Sequence, residues 1–374
     1  MSHTPDSQRL VSLDAFRGIT IAAMIMVNFP GTWKHVFAPL LHATWWGITP
    51  TDLIPSAFLF IVGVAIAFAY TKRKKAGVPP KKMYSKIIIR SLKIFLVGMF
   101  LNLWALLPEM NFEMLRWTGT LHRIAFVFLF CGLLFLHTSW RMQAIIGSAI
   151  LLLYFAALVL IPTPGYGKVM LEPGINIAHW IDSHLLPGHM WQGTWDPEGI
   201  MANVASIVTG ITGMLAGAYL LSSHSLERKV MNFFLVGGLA IIAGIMWGWS
   251  ALGINTNLWT PPYVLVTSGF AACVLAASIY VIDILGKNKN PVVNFGVIYG
   301  MNAIAVYVLA DLLAPIFYGI KIGGSSLNAW FIHFMSEMLF FTPHFASWCY
   351  AIMYVFICFI PAYLLYRKKI FIKL

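Results

Sequence analysis

The sequence predicts an all-α, polytopic integral membrane protein with about ten transmembrane helices, and three observations predict it. Only 10% of the residues are charged against 59% hydrophobic, with a mean hydropathy of +0.79, whereas a water-soluble chain of this size carries roughly twice that charge. The apolar residues gather into runs near the roughly 20 residues a helix needs to cross a bilayer. The basic residues form short clusters between those runs, such as Lys72-Arg73-Lys74-Lys75 and Arg367-Lys368-Lys369, as the positive-inside rule describes.

In chain order the runs lie near 13–33, 51–71, 85–107, 119–137, 142–162, 199–222, 232–250, 263–285, 294–317 and 346–366, each read against the span length. The first follows Arg9 and Arg17 but leads into no small-residue cleavage pattern, so it reads as an uncleaved span and not a signal peptide. Assigning the basic loop 72–86 to the cytoplasm places Arg141, Arg228, Lys229, Lys287, Lys289 and the tail from Arg367 to Lys373 on the same side. Only Lys34, Arg116, Lys168 and Lys321 then fall in connections on the other, and both termini are expected to be cytoplasmic. The longer connections, 34–50, 163–198, 251–262 and 318–345, all face the opposite side, with an interfacial helix expected around Trp330 to Phe341. Loops of that length are often functional. No repeat or linker interrupts the chain, which reads as a single domain over 1–374.

Several function classes drop out. The net charge of +12 belongs to the loop clusters and does not point to nucleic acid. The four cysteines, Cys131, Cys273, Cys349 and Cys358, have no ligand-like spacing, so neither a disulfide framework nor a metal site is read from them. The chain holds no Walker loop, no strand-borne GxGxxG, no GxSxG elbow and no HExxH, so chemistry is expected within the membrane.

Charged groups in a span cost several kcal/mol and call for a partner, an aqueous cavity or a function. Asp14 and Arg17 share a helical face at the start of the first span, and Asn28 lies eleven residues beyond Arg17, close to a whole number of turns. This polar stripe is either an ion pair with an interhelical asparagine bond or a ligand path. His42, in the stretch His42-Ala-Thr-Trp45-Trp46-Gly-Ile-Thr-Pro-Thr-Asp52-Leu53, is a candidate general base, with Asp52 to orient it; equally, Asp52 could cap its helix and His42 be structural. Further polar residues in apolar runs are His122 and Arg123, Asn203 and Ser206, and Tyr299 and Asn302. Arg123 suits a phosphate, or an acid such as Glu198 or Asp311. In the turn Trp195-Asp196-Pro197-Glu198-Gly199 the Pro and Gly are turn chemistry, and the two acids could hold an amino-sugar cation.

Six ordered blocks carry a resemblance: Arg9-Leu-Val-Ser-Leu-Asp14-Ala-Phe-Arg17-Gly with Asn28 and the His42 to Leu53 stretch; Gly119-Thr-Leu-His122-Arg123-Ile; Asp196-Pro-Glu198-Gly-Ile; Asn257-Leu-Trp259-Thr; Gly300-Met-Asn302-Ala-Ile; and Tyr366-Arg-Lys-Lys-Ile-Phe. Together they resemble the heparan-α-glucosaminide N-acetyltransferase family of transmembrane acyltransferases, in particular its bacterial NagX-like members, which travel under an N-acetylglucosamine-transporter label. The resemblance implies acetyl-CoA as donor from the cytoplasm, an amino sugar as acceptor on the opposite face, and His42 as the catalytic residue assisted by Asn28. Three positions depart from the pattern: Pro55 comes one place early, His122 stands for a glutamine, and Thr256 stands for a lysine.

On this reading the donor is expected to touch Asp14, Arg17, His122, Arg123, Ser206, Tyr299 and Asn302, with Arg17 and Arg123 at the phosphates, and the acceptor to touch Trp45, Trp46, Asp196, Glu198 and Trp259. The pantetheine arm would cover the roughly 16 Å of eleven helical residues and meet His42 near the outer face. His42 acts as general base there and Asn28 donates to the thioester oxygen; an acetyl-histidine intermediate stays open. The rival is an amino-sugar or N-acetylglucosamine transporter without chemistry, which calls for helices broken near mid-membrane, whereas the evident Gly/Pro interruptions fall mostly near span ends. No Asn-X-Ser/Thr site occurs, which fits a bacterial inner membrane. The oligomeric state, a homodimer among the options, is not set by the sequence.

Overall fold

The structure, a computed structural model, describes residues 10–106 and 111–372. Arg9 of the first motif, Leu107 at the end of the expected third span and Lys373 of the basic tail lie outside the described residues. Helix α1 runs Val11–Asn28. It stops five residues short of the expected span because Phe29 precedes Pro30, and a residue before proline is driven out of helical geometry. Helix α2, Pro50–Lys75, opens on a capping box between Thr49 and Asp52 and closes on four basic residues, the charge order that suits a helix dipole. Pro79 and Pro80 open α3, Pro80–Trp104, and α4, Thr120–His137, is followed after a two-residue turn by α5, Trp140–Leu160.

The loop after α5 contains a short helix, α6, Ile177–Leu185, capped by the Asn176 side chain. Then come α7, Ile200–Leu220, and α8, Leu226–Ser250. Helix α9 covers Pro261–Ile284, its last six residues as a π turn. Helix α10, Pro291–Met301, and α11, Ala303–Ala314 with a π turn on to Gly319, are bent 81° from one another. A two-residue hairpin, β1 Lys321–Ile322 with β2 Ser325–Ser326, leads to α12, Leu327–His333, where the interfacial helix is expected, and to α13, Pro343–Arg367.

Among the described residues nine helices are long and apolar enough to cross a bilayer, and there are ten if the bent α10–α11 pair is one broken span and not a re-entrant loop. The protein is a polytopic α-helical membrane protein. The break corrects the expectation of an uninterrupted ninth run. It falls at Asn302, whose backbone (φ −128°, ψ 34°) leaves the helical region, while its amide donates to the Ile370 carbonyl at 3.1 Å and accepts from the Ile372 N–H at 2.8 Å. Apolar periodicity cannot show such a break, because the returning tail supplies the hydrogen bonds.

Helix α7 is the centre of the bundle, with 72% of its most apolar stretch buried, and α8 its periphery, with 22%. Close backbone approach holds the inner helices together: a Cβ on Gly63 of α2 would lie 2.0 Å from the Gly210 carbonyl of α7, and one on Gly18 of α1 would lie 1.8 Å from the Gly296 carbonyl of α10. Without a hydrophobic drive between helices in lipid, such small-residue contacts supply much of the packing. Among the spaces left between the helices, three bear on the site. One is bounded by α2, α3 and α4 near their basic ends, one by α3, α4 and α11, and one lies beneath the loops 29–49 and 186–199.

Candidate active site

The loop between α1 and α2 is pinned at several points. Gly31 donates to the Ser347 carbonyl, Gly47 to the Ile254 carbonyl at 2.8 Å, and the Thr49 and Thr51 hydroxyls to the carbonyls of Leu41 and Pro39. His42 is thereby held over the first turn of α2, where its Nδ1 lies 2.6 Å from Oδ1 of Asp52. The other Asp52 oxygen accepts from the Thr49 N–H at 2.8 Å, the Thr49 hydroxyl and the Ala43 N–H. Asp52 is fully buried, and half of the His42 side chain is exposed. An ionised carboxylate only accepts hydrogen bonds, so Nδ1 carries the proton and the Nε2 lone pair is free to take another.

The dyad faces a cavity of about 380 Å³ lined by His42, Asn28, Pro55, Arg116, Arg123, Glu198, Thr256 and Trp259, among others. Asn28, the last residue of α1, makes no hydrogen bond among the described residues, so its amide is open to a ligand. Asn28, Arg116, Thr120 and Trp191 also line a second cavity of about 1040 Å³, so the two adjoin. Trp259 is wholly buried and held at φ 52°, a strained conformation for a bulky residue. Its indole donates to the Thr209 hydroxyl at 3.1 Å, and the Arg123 guanidinium lies 4.3 Å over its ring.

Toward the other end of the helices is a third cavity, about 530 Å³, lined by Arg17, Arg73, Lys86, Arg90 and Lys93 and by no acidic residue. About one turn of helix separates it from the 1040 Å³ cavity on three walls at once. Ile94 lines one and Gly98 the other on α3, Ile124 and Leu121 on α4, and Ile304 and Tyr307 on α11. The protein thus contains a nearly continuous succession of spaces from the cationic cavity to the His42–Asp52 dyad.

Several sequence-nominated residues occupy other places. Arg123 lines the dyad cavity, and Arg17 lines the cationic one. The Arg123 fork is taken up by the Asn203 side chain at 2.8 Å and the Pro197 carbonyl, not by Glu198 or Asp311. The acids expected to hold an amino-sugar cation are engaged instead by Arg116, which donates from Nε to Asp196 Oδ2 at 2.7 Å and from Nη2 to both Asp196 and Glu198. Asp196 is buried and also accepts from the Trp191 and Glu198 N–H groups, so both of its oxygens are engaged within the protein. Burial opposes charge on Arg116, yet the Glu198 and Asp196 carboxylates outweigh it and raise the guanidinium above its ordinary value. Burial would raise the Asp196 carboxyl, but its hydrogen bonds and charge contact with Arg116 hold it below the usual range.

Trp45 donates to the Leu171 carbonyl and packs edge-on against Trp46, His179 and Trp195. Trp46 covers Gly253. Asp14 pairs with Arg17 at 3.2 Å, Ser206 donates to the Asn203 carbonyl and Tyr299 to the Val355 carbonyl. His122 sits edge-on to Phe95 and lines the 1040 Å³ cavity. The sequence reading missed the convergence of Arg73, Lys86, Arg90 and Lys93 on Arg17. The available signal was the run of basic residues continuing four turns into α3, past the point where a loop cluster would end.

A model of the catalytic region of heparan-alpha-glucosaminide N-acetyltransferase matches residues 9–172, the part of the chain that contains Asn28, His42 and Asp52. The chain is thus similar to the heparan-α-glucosaminide N-acetyltransferase family. It is 26% identical over 420 residues to the human protein of that name, covering 98% of this chain and 60% of the human one. To the mouse protein it is 26% identical over 364 residues, covering 83% of this chain and 54% of that relative. The chain therefore spans little more than half the length of these relatives, and the family match falls on the dyad and on the cationic ends of α1, α2 and α3.

Proposed function

We propose that the protein moves the acetyl group of acetyl-CoA, held with its phosphates in the cationic cavity, onto the amine of a glucosamine-type sugar reaching the dyad from the opposite face. The observation that carries this is the 2.6 Å His42–Asp52 contact beside a free Asn28 amide, at the far end of a path whose near mouth is lined by five cations. Arg17, Arg73, Lys86, Arg90 and Lys93 match a polyanionic donor, and the names of the relatives indicate the acceptor class. Passage of the pantetheine arm requires the apolar turn around Ile94, Ile124 and Ile304 to part.

The chemistry follows from the atoms in place. The sugar nitrogen bonds to the thioester carbonyl carbon while His42 Nε2 accepts a proton from it. Asp52 steadies the imidazolium through Nδ1. The Asn28 amide donates to the carbonyl oxygen as it gains negative charge. The C–S bond then breaks, and the proton on His42 passes to the departing sulfur, giving the N-acetyl sugar and CoA thiol. His42→Ala in purified protein supplied with labelled acetyl-CoA and glucosamine is expected to abolish transfer while donor binding persists; transfer continuing at a tenth of the wild-type rate sinks the assignment.

A second reading, passage of an amino sugar without chemistry, is favoured by one observation, the 81° break between α10 and α11, since broken helices mark many transporter sites. Labelled glucosamine crossing a sealed vesicle unmodified, with no acetylated product, is the result that selects it.

A further inference from the structure

Asp311 is unused by the chemistry above. It stands on α11, in the broken span, next to Ala310, whose carbonyl accepts from the Tyr354 hydroxyl in the middle of α13, so it lies deep within the bundle. It lines the 1040 Å³ cavity and makes no hydrogen bond or ion pair among the described residues. The other charged groups of the outer cavities are already matched within the protein: Arg116 by Asp196 and Glu198, Asp52 by His42, and Arg123 by neutral oxygens and the Trp259 face. A carboxyl group at membrane depth with no partner among the described residues points to one that arrives from outside.

The surroundings identify the arriving group. Trp33, Trp104, Trp191, Tyr307 and Tyr318 line the same cavity, and such faces accept both the C–H side of a sugar ring and a cation. A single carboxylate is too few oxygen ligands for a hard metal ion but suffices for one ammonium group. The cavity adjoins the dyad cavity through Asn28, so a group docked at Asp311 has only to pass that residue to reach His42 Nε2.

We propose that Asp311 is the docking carboxylate for the acceptor's ammonium group, holding a cationic amino sugar in the aromatic-lined cavity and taking the ammonium's extra proton, later returned to solvent, as the neutral amine moves past Asn28 to His42. The second of these steps rests on the transferase reading; the docking does not. Asp311 thereby sets specificity for an amine over a hydroxyl at that position of the sugar.

The test is binding of labelled glucosamine and, in parallel, labelled glucose to the full chain in nanodiscs. Wild-type protein is expected to prefer glucosamine at least about tenfold, as a charge-assisted hydrogen bond allows. Asp311→Asn is expected to lose that preference and Asp311→Glu to retain most of it, with the acetyl-CoA KM unchanged in both. Glucosamine affinity within twofold of wild type in Asp311→Asn overturns the proposal, as does wild-type protein that fails to distinguish the two sugars. If Asp311→Asn does not fold, the wild-type comparison and Asp311→Glu decide. Amine-selective binding that depends on Asp311, without any acetyl transfer, supports the docking site and removes the transferase reading instead.

Discussion

Asp52 does two things with one carboxylate: Oδ2 closes the capping box of α2 and Oδ1 holds His42. The two readings of this residue open from sequence are therefore both met in the structure. Asp52→Asn keeps the cap's shape but can present an amide N–H to Nδ1, favouring the tautomer whose Nε2 is already protonated; acetyl transfer is expected to fall by about 10²–10⁴-fold with little change in donor affinity, read by single-turnover kinetics. Asn28→Ala removes one donor to the developing oxyanion and is expected to lower kcat about 10²–10³-fold. Arg116 is the opposite kind of residue. Arg116→Met leaves buried Asp196 without its counter-charge, and a loss of about 3–5 kcal/mol of stability is expected, measured as a lower thermal midpoint in detergent. Asn28 and His42 are nominated together by the family resemblance, and Asp52 by its place ten residues beyond His42; polar character alone leaves His42 equally readable as structural. The pairing of Arg116 with Asp196 spans 80 positions, and nothing in local pattern could tell an acid reserved for a substrate from one reserved for an arginine.

Among the elements, the loop carrying α6 shows how titration and packing meet. His179 stacks on Trp195 and is buried; burial holds its imidazole down at about 4, with the Asp196 charge a lesser, opposing influence. Asp182 accepts from the Ile200 N–H at 2.9 Å, and burial, only partly offset by that bond, raises its carboxyl to about 6. The signs oppose. Between about pH 6.5 and 4 the unfolded chain protonates His179 and the folded one does not, so stability falls as pH falls; over about 4 to 6 the folded chain protonates Asp182 and the unfolded one does not, so stability rises. The two nearly cancel in the native protein. Asp182→Asn removes one side, and acidification from pH 6.5 to 4 is then expected to lower the amide protection factors of residues 177–199, by up to about tenfold per pH unit, with the wild-type factors nearly flat. The helical spans themselves were readable to within a few residues wherever a proline, capping residue or charge cluster ends the apolar run. The α10–α11 break was not, since its cause is a tail contact 68 residues away.

Over the whole molecule, charge is separated along one path. Among the described residues five cations and no acid line the cationic cavity, while Asp311, the surplus acid of the Arg116 cluster and the His42-bound Asp52 lie toward the other end of the helices. On the proposed reading an anionic donor from one side and a cationic acceptor from the other would each meet complementary charge, which the net charge of the chain could not reveal because most of its basic residues lie outside this cavity. Replacing Lys86 and Lys93 together with Gln is expected to raise the acetyl-CoA KM about tenfold or more, steeply with salt, and to leave the glucosamine KM unchanged; equal effects on both would contradict the separation. The most direct measurement of the central claim uses sealed proteoliposomes of one orientation, with labelled acetyl-CoA confined to the side of the 72–86 loop and glucosamine to the other. Labelled N-acetylglucosamine formed on the glucosamine side, and absent with His42→Ala, is the expected result. Product that forms only when both substrates share one side, or sugar that crosses unmodified, contradicts it.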